Sequence, residues 1–367
     1  MPEGNHLAEA LGLGARSRDA LFAETADGAR ATYGDLVDGA ARMAAALTRA
    51  GLSPGDRVAA QVEKSLSALE LYLGKVLAGG VFLPLDTAYT DAEIAYFLGD
   101  AEPSIVVCDP ARRAGQSAIA ERCGARAVFA PDAAGRGTLA DAAADEAAAY
   151  APVPRGPDDL AAILYTSGTT GRSKGAMLSH GNLASNARTL AASWRFTETD
   201  RLIHALPIFH THGLFVATNV ALVAGAALLF FPRFDADAVL AAMPRATAMM
   251  GVPTFYTRLL QRPGLAAAAA GMRLFVSGSA PLPEETHRRW AEIAGHAILE
   301  RYGMTETNMI ASNPYDGERR AGTVGFPLPG VSVRIAPAGG GTPLPQGDRR
   351  HRGDRPERLR WLLANAG

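Results

Sequence analysis

Short apolar runs alternate with amphipathic stretches along almost the whole chain, and that rhythm restricts the fold more than any other feature. Asp35–Ala50 places Leu36, Ala40, Met43, Ala44 and Leu47 on one helical face, and Gly51 stops it. Arg57–Val62, Val81–Leu85 and Ser104–Cys108 read as strands, with Ser65–Ala78 and Asp91–Leu98 as helices between them. The pattern resumes with Arg201–Leu206, Ala226–Phe231, Thr247–Met250 and Met272–Val276 as strands. Repeated strand–helix alternation predicts an α/β fold with parallel-type sheets covered by helices. Ligands of such sheets bind beyond the carboxyl ends of the strands.

One loop sits at such an end. Tyr165-Thr166-Ser167-Gly168-Thr169-Thr170-Gly171-Arg172-Ser173-Lys174-Gly175 follows the apolar run Leu160–Leu164. Glycines let backbone N–H groups turn inward, hydroxyls add short donors, and the basic side chains add positive charge, so the loop suits a polyphosphate. It is not a P-loop: counted from Gly168, the position that pattern reserves for its second glycine is Ser173.

Bulk properties exclude several classes. The 367 residues are 48% hydrophobic with a formal net charge of −1, which gives no reason to expect nucleic acid or an acidic membrane as partner. Two cysteines, Cys108 and Cys123, fit a reduced, cytoplasmic protein. No secretory signal is visible in Met1–Arg16. Leu214–Phe231 is apolar but carries Thr218, Asn219 and Gly225, and reads as a buried helix followed by a strand rather than a membrane span. The alanine-rich stretch Ala133–Ala151 leads into the prolines of Pro152–Pro157, and Leu265–Ala270 reads as a helix end or a surface turn. No Gly-X-Ser-X-Gly elbow and no Gly-X-Gly-X-X-Gly after the first strand is present, against a hydrolase or a Rossmann oxidoreductase.

Three further segments carry chemistry-bearing residues. Leu206-Pro207-Ile208-Phe209-His210-Thr211-His212-Gly213 offers two histidines, readable as metal ligands, as structural histidines at a strand end, or as part of a substrate pocket. Glu300-Arg301-Tyr302-Gly303-Met304-Thr305-Glu306-Thr307 groups carboxylates, an arginine, a ring and hydroxyls; it reads as a salt-bridged surface turn or as a site whose Glu306 holds Mg²⁺ against phosphates. In Ser277-Gly278-Ser279-Ala280-Pro281, small residues let a ligand approach the backbone.

Together these segments resemble the adenylate-forming acyl-CoA synthetases, and within them the malonyl-CoA synthetases, over about Leu21–Gly347. The resemblance implies that a carboxylate attacks the α-phosphorus of MgATP, releasing pyrophosphate, and that coenzyme A then displaces AMP. It implies that Thr166, Ser167, Gly168, Thr169, Thr170 and Gly171 with Lys174 cradle the β- and γ-phosphates. Thr305 would contact the α-phosphate, and Glu306 with Thr166 would hold Mg²⁺. Tyr302 would lie against adenine, with Ser279, Ala280 and Pro281 lining the base and Glu300 and Gly303 completing the nucleotide site. His210 would sit beside the acyl pocket, with Ser277 and Met304 also on the substrate side. A second substrate carboxylate needs a buried cation, which assigns Arg301 to the distal carboxylate of malonate or methylmalonate.

After Gly347 the resemblance stops, so residues 1–347 read as an adenylation domain incomplete at its C-terminal end and 348–367 as a non-homologous basic tail. As a real segment the tail suits an amphipathic helix around Glu357–Ala364. Permitted codons for Arg349–Ala366, read one base later, spell Gly-Val-Ile-Glu-Val-Thr-Gly-Pro-Asn-Val-Phe-Ala-Gly-Tyr-Trp, a family-like continuation, and a frameshift is the sharper expectation. The ribose-binding Asp and the lid lysine that the family carries would then be missing, with weak nucleotide binding and little turnover expected.

Overall fold

The computed structural model describes residues 3–131, 137–166, 172–336 and 360–364. Two sheets form the scaffold. One has six strands, in the order Ala127–Phe129, Ile105–Cys108, Arg57–Gln61, Val81–Pro84, Leu160–Thr166 and Lys174–Ser179. The other has nine, in the order Phe326–Pro327, Asn308–Ser312, Leu299–Met304, Leu274–Ser277, Ala248–Gly251, Arg201–His204, Ala227–Phe230, Leu21–Thr25 and Arg30–Thr32. Interior strands pair in parallel, as the alternation requires.

Side chains alternate across each strand, and this sorts the core into layers. Val58, Phe82, Ile105 and Val107 of the first sheet share one core with Leu202, Leu228, Met250 and Val276 of the second. Helices Tyr33–Arg49, Leu66–Leu77 and His180–Ser193 fill that core. The outward residues Ala59, Leu83 and Val106 pack against Ile94, Phe97 and Ile119, and Ile203, Leu229, Met249 and Phe275 against Val239, Tyr256 and Trp290. Capping boxes at Thr32–Asp35 and Thr90–Glu93 start two of the expected helices within two residues of where periodicity puts them.

Several expectations need correction. The sheets are not parallel throughout: Lys174–Ser179 pairs back antiparallel onto Leu160–Thr166, and Asn308–Ser312 onto Leu299–Met304. Residues 167–171 lie outside the described residues, but the strands flanking them make a hairpin. Leu265–Ala269 is a short helix of its own. Arg360–Ala364 pairs antiparallel with Ser332–Ala336 and is not helical, while 337–359 and 365–367 lie outside the described residues. The apolar segment from Leu214 forms part of a π-helical turn, His212–Thr218, then the helix Asn219–Ala224, then the strand Ala227–Phe230. Among the described residues no helix is long and apolar enough to cross a membrane. Cys108 and Cys123 are both free thiols.

One buried cation lies in the central core. Lys75 is fully buried, donates to the Ala161 carbonyl at 3.0 Å, and lies 5.0 Å from the Tyr72 ring centroid. Burial lowers its pKa from 10.5 to about 7. Between those values the unfolded chain binds more protons, so this group makes stability rise with pH from about 7 to 10.5. Lys75→Met is therefore expected to flatten that rise, by at most about 5 kcal/mol across the window, in urea unfolding at pH 7 and 10.

Candidate active site

The site forms where two hairpins from different sheets meet. On the first, Thr166 pairs with Lys174 at the ends of the strands, and the Lys174 side chain is exposed. Its return strand is held from outside: Tyr96 Oη donates to the Ser173 carbonyl at 2.8 Å, and Arg172 lies 5.3 Å from the Tyr96 ring centroid. Ser167, Gly168, Thr169, Thr170 and Gly171, the remaining expected phosphate contacts, lie outside the described residues.

The second hairpin turns through Thr305, Glu306 and Thr307. Its strands slip register between Tyr302 and Gly303, and a Cβ at Gly303 would lie 2.1 Å from the Asn308 carbonyl, so only glycine fits. Asn308 takes φ 52°, the left-handed conformation that asparagine tolerates. The turn carries Glu306 to Thr166, Oγ1 to Oε1 3.4 Å. Glu306 and Met304 are exposed, and Thr305 and Tyr302 are half-buried.

Arg301 lies in the buried first half of the strand Leu299–Met304. It is buried, with no ion-pair partner among the described residues, and its Nε and Nη2 have no hydrogen-bond partner. Burial pushes its pKa down from the ordinary arginine value. The guanidinium lies over Gly278, where a Cβ would come within 2.4 Å of Cζ. A salt-bridged surface turn is thus ruled out for this segment. An inward, unpaired guanidinium is an anion receptor in geometry and charge.

Around it stand the other candidates. Ser277, at the end of Leu274–Ser277, is buried with its Oγ unpartnered. Ser279 has φ 69°, and with Ala280 and Pro281 it is exposed. Glu300 is buried with Oε1 unpartnered, and desolvation raises its pKa against the backbone hydrogen bonds from Leu282 and Gly322. His212 is buried, its Nδ1 3.2 Å from Ser279 Oγ; burial and then the Arg301 charge keep it neutral. His210 is exposed at the rim, its Nδ1 accepts from the His212 amide at 3.2 Å, and desolvation followed by Arg301 lowers its pKa.

The described residues contain no cluster of three His, Cys, Asp or Glu that could hold a metal, which counts against a histidine metal centre. Thr166 and Glu306 do fit a hard cation that takes its remaining oxygens from water and phosphate. The sequence reading missed the buried Lys64 and His204 behind this site, because a lone lysine and a histidine 140 residues apart announce nothing in sequence.

A mixed α/β scaffold whose hydroxyl- and glycine-rich sequence follows Thr166, with Thr166 beside the Glu306 of an Arg-Tyr-Gly-Met-Thr-Glu hairpin, defines the N-terminal domain of an adenylate-forming enzyme. The family model "AMP-binding enzyme" matches residues 14–353, and the chain belongs to that family. It is 33% identical over 348 residues to a malonate–CoA ligase of Arabidopsis thaliana, covering 84% of this chain and 57% of that protein. It is 36% identical over 328 residues to the mitochondrial malonate–CoA ligase ACSF3 of Mus musculus, covering 83% and 55%. The crystal structure of ATP-bound MatB from Rhodopseudomonas palustris superposes with a TM-score of 0.90 at 58% identity, over 95% of this chain and 69% of that one. The chain thus spans little more than half the length of these curated relatives.

Proposed function

We propose that this chain is the nucleotide- and acid-binding part of an ATP-dependent acid–thiol ligase that activates malonate or methylmalonate and passes it to coenzyme A. The observation that carries the reading is Arg301, buried and unpaired at the inner side of the Glu306 hairpin. A monocarboxylic acid would leave that charge without a partner; a dicarboxylic acid supplies one after its first carboxylate has reacted. The malonate–CoA ligase relatives support the same choice.

In this reading Thr166, Lys174 and residues 167–171 hold the β- and γ-phosphates and Thr305 the α-phosphate. Tyr302, Gly303, Glu300 and the Ser279–Pro281 segment frame the adenosine. Arg301, Ser277, His210 and Met304 receive the acid. Thr166 and Glu306 would hold Mg²⁺, which supplies charge neutralisation on the phosphates when bound. One substrate carboxylate oxygen bonds to the α-phosphorus as the bond to pyrophosphate breaks. The thiol sulfur then bonds to the acyl carbon as the acyl–AMP bond breaks. Both steps build charge on oxygen, where fixed donors and Lys174 act.

The test is a substrate panel. The chain, extended by the C-terminal part of a malonate–CoA ligase, should support ATP–pyrophosphate exchange with malonate at least about tenfold faster than with acetate or benzoate. Faster exchange with a monocarboxylic acid would overturn the dicarboxylate assignment.

A further inference from the structure

We infer that Lys64 and His204 are positioning residues, which reach across the gap between the two sheets to fix the turn bearing His210 and His212. Lys64 follows the strand Arg57–Gln61 of the six-stranded sheet, and His204 ends the strand Arg201–His204 of the nine-stranded one. Both are buried. Lys64 Nζ lies 2.7 Å from the His204 carbonyl, 2.9 Å from His204 Nδ1, and 4.3 Å from the Phe230 ring centroid. Lys64 has no carboxylate partner among the described residues, so its neighbours are this histidine and an aromatic face.

The proton positions follow from what each partner can do. The Gly213 carbonyl, 3.0 Å from His204 Nε2, can only accept, so Nε2 carries a hydrogen. Full burial beside a lysine keeps the ring neutral, which leaves Nδ1 as an acceptor. Lys64 then donates to Nδ1 and to the His204 carbonyl, and both the ammonium and the amine have protons enough for that.

Gly213 is the second residue of the π-helical turn His212–Thr218. Its carbonyl takes a second hydrogen bond from Thr218 Oγ1 at 3.1 Å. A Cβ at 213 would lie 1.9 Å from the Pro207 carbonyl, so the turn folds tightly against its own entry. His204 thus adds a side-chain donor to one carbonyl of this widened turn. The adjacent residue, His212, contacts Ser279 Oγ and donates its amide to His210. Hydrogen bonds thus run from Lys64 through His204 to the Gly213 carbonyl, and the peptide link to His212 carries the connection on to Ser279 and His210.

This inference rests on the reading of His210, His212 and Arg301 as the acid side of the site. Its test uses the chain as it stands, with Lys64→Met, His204→Phe and His204→Gln. Imidazole nitrogen NMR of the ligand-free chain should show His204 protonated at Nε2 alone. Lys64→Met should move its Nδ1 resonance towards the value of a free lone pair and shift the His212 signals. By calorimetry, malonate affinity in the presence of AMP should fall about tenfold in Lys64→Met and His204→Phe, while AMP affinity stays within about twofold. His204→Gln, which keeps a donor for the Gly213 carbonyl, should recover most of the loss. Unchanged His212 signals and malonate affinity in folded variants would overturn the inference, and so would equal loss of both ligands. Failure of the unsubstituted chain to take up either ligand would count against the proposed function instead, and the imidazole spectra would then decide the positioning role alone.

Discussion

Replacing Arg301 with methionine is expected to move folding stability and ligand affinity in opposite directions. In the free chain the guanidinium is buried without a carboxylate and with two nitrogens unpartnered, a desolvation cost with little return. Removing it should raise unfolding stability at pH 7 by about 1–4 kcal/mol. The same change should weaken malonate binding about a hundredfold, because the second carboxylate loses its charge-assisted partner. Burial disfavours the charged form, but a guanidinium stays protonated across this range, so the advantage of Arg301→Met should be the same at pH 7 and pH 10. Urea unfolding at pH 7 and 10, paired with calorimetry, checks both arms. A variant that loses stability while keeping malonate affinity would show that the guanidinium is structural.

Glu306→Gln carries the second large effect. Glu306 is exposed, approaches Thr166 at 3.4 Å, and has no structural ion pair among the described residues, so its loss should leave stability unchanged within about 0.5 kcal/mol. Pyrophosphate exchange by the chain extended with the C-terminal part of a malonate–CoA ligase should fall by at least about two orders of magnitude, the scale seen when one fixed charge-stabilising group is removed. Raising Mg²⁺ should recover part of the rate if the carboxylate acts through the cation. Exchange unaffected by the substitution would remove Glu306 from the phosphate site.

Much of this was legible from residue patterns. The interior strands carry apolar runs of three or four residues that no helix period explains, and each lies where the alternation puts it. The edges were harder. Lys174–Ser179 reads polar and glycine-containing, yet Ala176 and Leu178 point inward and Met177 outward, a two-residue period hidden by the glycine-rich loop before it. Glu300–Thr307 left a surface turn open because sequence shows residue types and not direction; pairing with Asn308–Ser312 is what turns Arg301 inward. Lys64 and His204 were invisible for a different reason. Neither belongs to a motif, and their meeting depends on how two separately wound sheets face one another.

The Thr166–Glu306 approach also couples the molecule's large-scale geometry to its chemistry. The hydroxyl rides on one sheet and the carboxylate on an edge of the other, and the second edge is tied back by Trp194 Nε1 donating to Ser312 Oγ at 3.0 Å. A slide of one sheet past the other by an atom's width would part the pair without disturbing either hairpin. A triphosphate lodged between them would act as a clasp across that seam, stiffening the whole scaffold rather than a single loop.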